Sequence, residues 1–163
     1  MFLNKDIINI KFAGIGGMGV LKASLIFSEA VFRSGADVKK AEVHGMSQRG
    51  GSLCSDVRFG KNVFSPMIPK GEVDILVLLQ DDQLPLYQAY LNQNAIILKA
   101  SQIDITKLSN RKSLNIAMLG LLSTYLSLDD KLFFDVIKEN LPDKLYESNH
   151  AAFLYGKSIG EST

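Results

Sequence analysis

Apolar residues recur along this chain at two different periods, and the switches between them mark out the elements. Ile7-Ile8-Asn9-Ile10-Lys11-Phe12-Ala13 is β-branched and partly alternating, and glycines follow at once. That pattern predicts a strand ending in a tight loop. From Val20 to Arg33 the apolar positions Leu21, Ala23, Leu25, Ile26, Ala30 and Val31 fall at helical spacing, with Gly35 placed as a C-terminal stop. A strand over Asp37–Val43 follows, which completes the strand–helix–strand spacing of a βαβ unit, whose crossover is nearly always right-handed.

Past the loop His44-Gly45-Met46-Ser47-Gln48-Arg49-Gly50-Gly51, the residues Leu53, Ser55, Val57 and Phe59 alternate with Cys54, Asp56 and Arg58, as in a half-buried strand. Gly60-Lys61-Asn62 predicts a turn into Val63-Phe64-Ser65 and hence a hairpin. Pro66 and Pro69 exclude a central strand from the segment that follows. Asp74 to Leu79 reads as a strand buried on both faces, as in the middle of a parallel sheet. Helical spacing returns around Leu84–Leu91, and Ala95-Ile96-Ile97-Leu98 predicts another short buried strand.

The last third is helical. Leu114 to Leu126 is apolar nearly all round and predicts an interior helix. Asp129 to Asn140 is amphipathic, with acids at its start and Pro142 beyond its end, and Tyr146 to Gly156 predicts a final helix. The fold class expected is α/β, a three-layer Rossmann-like sandwich with a mostly parallel sheet, an antiparallel hairpin and a helical C-terminal third.

Composition narrows the class. At 163 residues, 47% hydrophobic and 21% charged, the chain has the makeup of one globular domain, expected to span residues 1–163. Its formal charge of +1 gives no basic footprint for nucleic acid. No apolar run is long enough to span a bilayer, and Met1-Phe2-Leu3-Asn4-Lys5-Asp6 lacks the features of a signal peptide, so a cytoplasmic protein is expected. One cysteine, Cys54, excludes an internal disulfide and a thiolate-ligated zinc or iron–sulfur site built by this chain alone. On its alternating strand Cys54 is expected to be a small core residue.

Seven of the 13 glycines lie in two windows, 14–19 and 45–51. The first, Gly14-Ile15-Gly16-Gly17-Met18-Gly19, is a G-x-G-x-x-G match between a strand and a helix. Such glycines let backbone N–H groups approach a phosphate at a helix N-terminus, or simply let helix and strand pack closely. A dinucleotide site also asks for an acid after the second strand, where Glu42 stands. The second window offers the Ser47 hydroxyl, the Gln48 amide and the Arg49 guanidinium beside Gly50 and Gly51, and Arg suits bidentate capture of phosphate or carboxylate. Ser47 with His44 three residues away is weak ground for a nucleophile–base pair, and no side chain stands out as a general acid or base. His150 falls on the last helix, and Asp81-Asp82 and Asp129-Asp130 read as helix-start residues.

Together the two windows resemble the gamma-type subunit of 2-oxoacid:ferredoxin oxidoreductases. Glu42-Val43-His44-Gly45-Met46-Ser47-Gln48-Arg49-Gly50-Gly51-Ser52 is most similar to the small subunit of the indolepyruvate type. Val57–Gly60, Ser65–Pro69 with Gly71–Asp74, Asn115–Gly120 and Asn149–Gly156 extend the likeness over nearly the whole chain. Met18 departs from it by standing where that family usually has Gln, and residues 80–113 form a shorter middle than is usual.

The resemblance implies a subunit of an enzyme that turns a 2-oxoacid, CoA and oxidised ferredoxin into an acyl-CoA, carbon dioxide and reduced ferredoxin. Thiamine diphosphate, Mg and 4Fe-4S clusters would sit on a large partner subunit, which would also meet ferredoxin. This chain would contribute the CoA side of the site, with Gly14, Gly16, Gly17, Met18 and Gly19 cradling phosphate and Ser47, Gln48, Arg49, Gly50 and Gly51 contacting CoA or the partner's rim. A nicotinamide- or flavin-nucleotide module and a purely structural subunit are the rival readings.

Overall fold

The computed structural model describes residues 5–44 and 51–162, with the backbone but not the side chain of His44. Strands β1 (Ile7–Ile15), β2 (Asp37–His44), β3 (Ser52–Gly60), β4 (Val73–Leu78) and β5 (Leu91–Lys99) form one sheet in the order β2-β3-β1-β4-β5. β1 pairs parallel with β4, and β4 with β5, while β3 runs antiparallel to both of its neighbours, β1 and β2. Only β3 therefore runs against the common direction.

The helices are α1 (Val20–Arg33), α2 (Leu84–Tyr87), α3 (Leu114–Ser123), α4 (Asp130–Asn140) and α5 (Tyr146–Glu161). None is long and apolar enough to cross a membrane.

Side-chain alternation along the strands sorts residues onto two unlike faces. Ile10 and Phe12 of β1, Val57 and Phe59 of β3, and Ile75 and Val77 of β4 point into the main core with α1, α3, α4 and α5. α1 contributes Val20, Ala23, Ile26, Phe27, Ala30 and Val31 to it, one stripe of an amphipathic helix. α3 is buried over nearly its whole surface, as its uniform apolarity predicts, because α5 covers the side turned away from the sheet.

The opposite face has a thinner cover, the single turn of α2 and the irregular segment 61–72, with Ala13, Cys54, Leu76, Leu78, Ile68 and Tyr87 packed between. This face also buries polar groups: Asn9, Lys11, Asp56 and Asp74 are all nearly inaccessible.

Four expectations are corrected. Val63-Phe64-Ser65 does not form a hairpin with the preceding strand. Both edges of β3 are already occupied by β1 and β2, so the antiparallel pairing is made there instead. Side chains hold the 61–72 segment in place of a ladder. The Val63 N–H donates to Asp37 at 2.8 Å and the Ile68 N–H to Asp56 at 3.0 Å, while Arg58 donates to the carbonyls of Ser65 and Met67.

The helix expected over 84–91 is one α-turn between two 3-10 turns, and β5 begins at Leu91 rather than Ala95. The last helix runs on past Gly156 to Glu161. The acidic pairs do serve element starts: Asp129 caps α4 by accepting from the Lys131 N–H, and Asp81 opens a 3-10 turn.

Candidate functional site

The two glycine windows meet at one end of the sheet because of strand register. Ile15, the last residue of β1, pairs with Ser52, the first of β3, and His44, the last of β2, pairs with Leu53. The first window leaves the sheet at Gly16 and the second re-enters it after Gly51, on neighbouring strands. Gly45, Met46, Ser47, Gln48, Arg49 and Gly50 lie outside the described residues, and so does any Ser47–His44 side-chain pairing.

Within the first window the glycines have different tasks. Gly14 belongs to β1, not to the loop, and pairs with Leu53. A Cβ there would stand 2.9 Å from Val20 Cγ2 and 3.2 Å from Leu79 Cβ, so its role is close packing of β1 against α1 and the end of β4. Gly16 and Gly17 are exposed, and Gly17 takes φ +87° with open space where a side chain would be. Gly19 is the N-cap of α1, at φ +79°. Both positive φ values lie in the left-handed region that glycine enters without a Cβ penalty.

Met18 is half-buried and packs against the main core, and its N–H closes the turn on the Ile15 carbonyl at 3.3 Å. In this position it is a gap-filling side chain.

α1 begins with no side-chain cap and no acidic residue in its first turn. A 14-residue helix that starts this way leaves its first N–H groups, and the positive end of its dipole, directed at the loop. Such a helix start is chemically suited to an anion such as phosphate.

Sequence reasoning did not single out Asn115, which the structure places at the loop. It is buried in the first turn of α3 and donates to the Gly19 carbonyl at 3.3 Å, while its own carbonyl accepts from the Ile116 N–H. A Cβ on Gly19 would stand 2.5 Å from Asn115 Nδ2, so glycine and asparagine fit as a pair. Nearby, Ser52 donates to Gln83 at 2.6 Å, tying the start of β3 to the turn after β4.

Glu42 is not on the strand next to β1: β3 lies between β2 and β1, Glu42 faces Ser55 in the β2–β3 ladder, and it forms an ion pair with Lys40. A dinucleotide fold would place that acid on the strand next to β1, so the nucleotide-module reading loses its second support.

His150 lies on α5 against the rings of Phe134 and Tyr146. Cys54 is buried, and desolvation pushes its thiol up from the ordinary value, only partly offset by the Lys11 charge. Since the thiolate is the reactive form, iodoacetamide at pH 8 should alkylate Cys54 at least about tenfold more slowly in the native chain than in denaturant. Equal rates would show that the thiol is accessible.

Residues 9–107 match the family model for pyruvate ferredoxin/flavodoxin oxidoreductase. The indolepyruvate oxidoreductase subunit IorB of Archaeoglobus fulgidus is 41% identical over 91 residues, which are 56% of this chain and 45% of that protein. The chain thus spans a little under half the length of this curated relative.

Two solved structures carry the fold. The gamma subunit of a keto/oxoacid ferredoxin oxidoreductase from Geobacter sulfurreducens superposes with a TM-score of 0.77 at 21% identity, covering 96% of this chain and 99% of that one. The 2-oxoglutarate:ferredoxin oxidoreductase of Magnetococcus marinus, with 2-oxoglutarate, coenzyme A and succinyl-CoA bound, gives a TM-score of 0.80 at 15% identity. It covers 98% of this chain but only 32% of its own.

Proposed function

The chain belongs to the pyruvate ferredoxin/flavodoxin oxidoreductase family, and on that premise we propose that it is the small, gamma-type subunit of an arylpyruvate:ferredoxin oxidoreductase of the indolepyruvate type. It is a single unit over residues 1–163 that supplies the CoA side of the active site. The identity with IorB supports the choice of substrate class, and the coenzyme A in the Magnetococcus enzyme supports the choice of ligand.

The observation that carries the site is the start of α1. It is uncapped, free of acid and glycine-lined, and it opens at the same end of the sheet as the second window. A phosphate of CoA receives the first N–H groups of α1, and Gly16 and Gly17 leave room for it. Asn115 fixes the loop from behind, and Arg49 and Gln48 add their charge and amide from the second window. Thiamine diphosphate with Mg and the 4Fe-4S clusters, held by a large partner subunit, supply decarboxylation and one-electron transfer to ferredoxin.

Two variants of the assembled enzyme test this. Lys22 lies in the first turn of α1 with its ammonium 3.5 Å from the Asn140 carbonyl, so Lys22→Glu sets a negative charge within one turn of the proposed phosphate, and Lys22→Gln controls for the lost cation. Lys22→Glu should raise KM for CoA about tenfold over the Gln variant, equivalent to about 1.4 kcal/mol, and leave KM for the 2-oxoacid unchanged. Arg49→Ala should likewise impair CoA use in a complex that still assembles. CoA kinetics unaltered in both variants would remove the loop from the CoA site. The substrate class is tested separately, by CoA-dependent viologen reduction with indolepyruvate, phenylpyruvate, pyruvate and 2-oxoglutarate. Activity confined to the last two would keep the family and discard the aryl specificity.

A further inference from the structure

The thinly covered face of the sheet opens at one place into a pocket of about 270 Å³. Its rim carries Val43 at the end of β2, Met67 in the irregular segment and Leu86 on α2, which are 43%, 59% and 55% exposed. Tyr87 and Tyr90 wall it, and Lys11, Cys54 and Asp56 form its floor. Single exposed apolar residues are ordinary on any surface, but three around one concavity mark an interaction site.

The chemistry of the floor decides what can enter. Lys11 and Asp56 neutralise each other as an ion pair, Lys11 also faces the Tyr90 ring, and the second oxygen of Asp56 is taken by the Ile68 N–H. Among the described residues no buried side-chain nitrogen or oxygen lacks a hydrogen-bond partner. The described floor of the pocket therefore leaves no buried polar group in want of a partner, and its apolar rim favours an apolar group.

The fold exists in two states of attachment. It is nearly the whole of the Geobacter gamma subunit but only a third of the Magnetococcus polypeptide. A unit that is fused in one protein and separate in another must keep on its own surface the contact that fusion otherwise builds in. We infer that the Val43–Met67–Leu86 pocket is the surface on which the large subunit of the enzyme docks, through an apolar or aromatic side chain seated between the two tyrosines. This rests on the subunit reading above. It places the partner beside the candidate site, because Val43 and Ser52, which both line the pocket, flank the 45–50 window at the glycine-loop end of the sheet.

The test uses the full chain, affinity-tagged and expressed in its native organism under anoxic conditions. The large subunit is identified by peptide mass spectrometry together with thiamine and iron content. Met67→Glu and Leu86→Lys should each cut its recovery at least tenfold, with melting temperatures unchanged because both side chains are exposed. Phe32→Glu, on the outward side of α1 and 67% exposed, should recover it fully. Wild-type recovery with both pocket variants overturns the surface. So does a dimer of the chain alone that the same variants split, which would make a second copy the occupant. Failure of the tagged wild-type chain to bring down any large subunit would instead overturn the subunit reading itself, a distinguishable result.

Discussion

Replacing Asp56 by Ala should destabilise the chain by about 3–5 kcal/mol, a large part of the roughly 5–15 kcal/mol that holds a domain of this kind together. Asp56 and Lys11 face each other directly across the β1–β3 ladder, and their side chains are only 3% and 4% exposed. Without the carboxylate, the Lys11 ammonium remains buried with the Tyr90 ring and the Cys54 sulfur as its remaining partners among the described residues, and the Ile68 N–H loses its acceptor. Lys11→Met should cost a similar amount, because the Asp56 charge then stays buried against a single N–H donor. The pair itself is worth far less than either loss, since burying both charges incurred a desolvation cost that their attraction only offsets. Lys11→Met combined with Asp56→Asn, which keeps an acceptor for Ile68, should therefore return to within about 1–2 kcal/mol of wild type. Urea unfolding of wild type, Lys11→Met, Asp56→Asn and the double variant measures the cycle. Additive single losses in the double variant would show that the two charges do not act as a pair.

That ion pair also shows where the sequence stops being informative. Leu53, Ser55, Val57 and Phe59 are legible as a core face because one side of β3 meets helices of regular period. The alternate positions look like a solvent face, yet Asp56 is buried beside the expected core residue Cys54, because a segment without any period, 61–72, lies over them. β1, α1, β4 and the three C-terminal helices follow from local pattern, each burying one stripe or its whole surface. The insertion of β3 between β1 and β2 does not, since the choice of antiparallel neighbours is made between residues far apart in sequence.

The candidate site divides the same way. Gly17 and Gly19 are legible by type, because their positive φ values call for glycine, whereas Gly14 in the same motif is a packing residue of β1. Asn115 reaches Gly19 across 96 residues, and no local pattern points to it. Glu42 fits a motif spacing but lies on the wrong strand to use it.

Gly156→Ala should destabilise the protein and loosen the glycine loop together. Alanine is the better helix former by about 1 kcal/mol, so propensity alone predicts a gain in the middle of α5. Packing opposes it. A Cβ on Gly156 would fall on the main-chain carbonyl of Ala117 in α3, and one on Gly120 would fall on the carbonyl of Phe153 in α5. The two helices touch backbone to backbone, and no rotamer change can relieve the overlap. They must move apart, losing contacts on both sides, at a net cost of about 1–3 kcal/mol or more. Gly160 is the internal comparison, because the nearest atoms its added Cβ would meet belong to the Thr124 side chain and not to backbone. Thr124→Ala should rescue Gly160→Ala and leave Gly156→Ala unrescued. Since Asn115 sits two residues before Ala117 in α3 and holds the Gly19 carbonyl, a displaced α3 carries the loop with it. Gly156→Ala should then weaken CoA use in the assembled enzyme, while Gly160→Ala with Thr124→Ala should not. Thermal unfolding gives the first ordering and KM for CoA the second. A Gly156→Ala chain as stable as wild type would mean that α3 and α5 are not in main-chain contact.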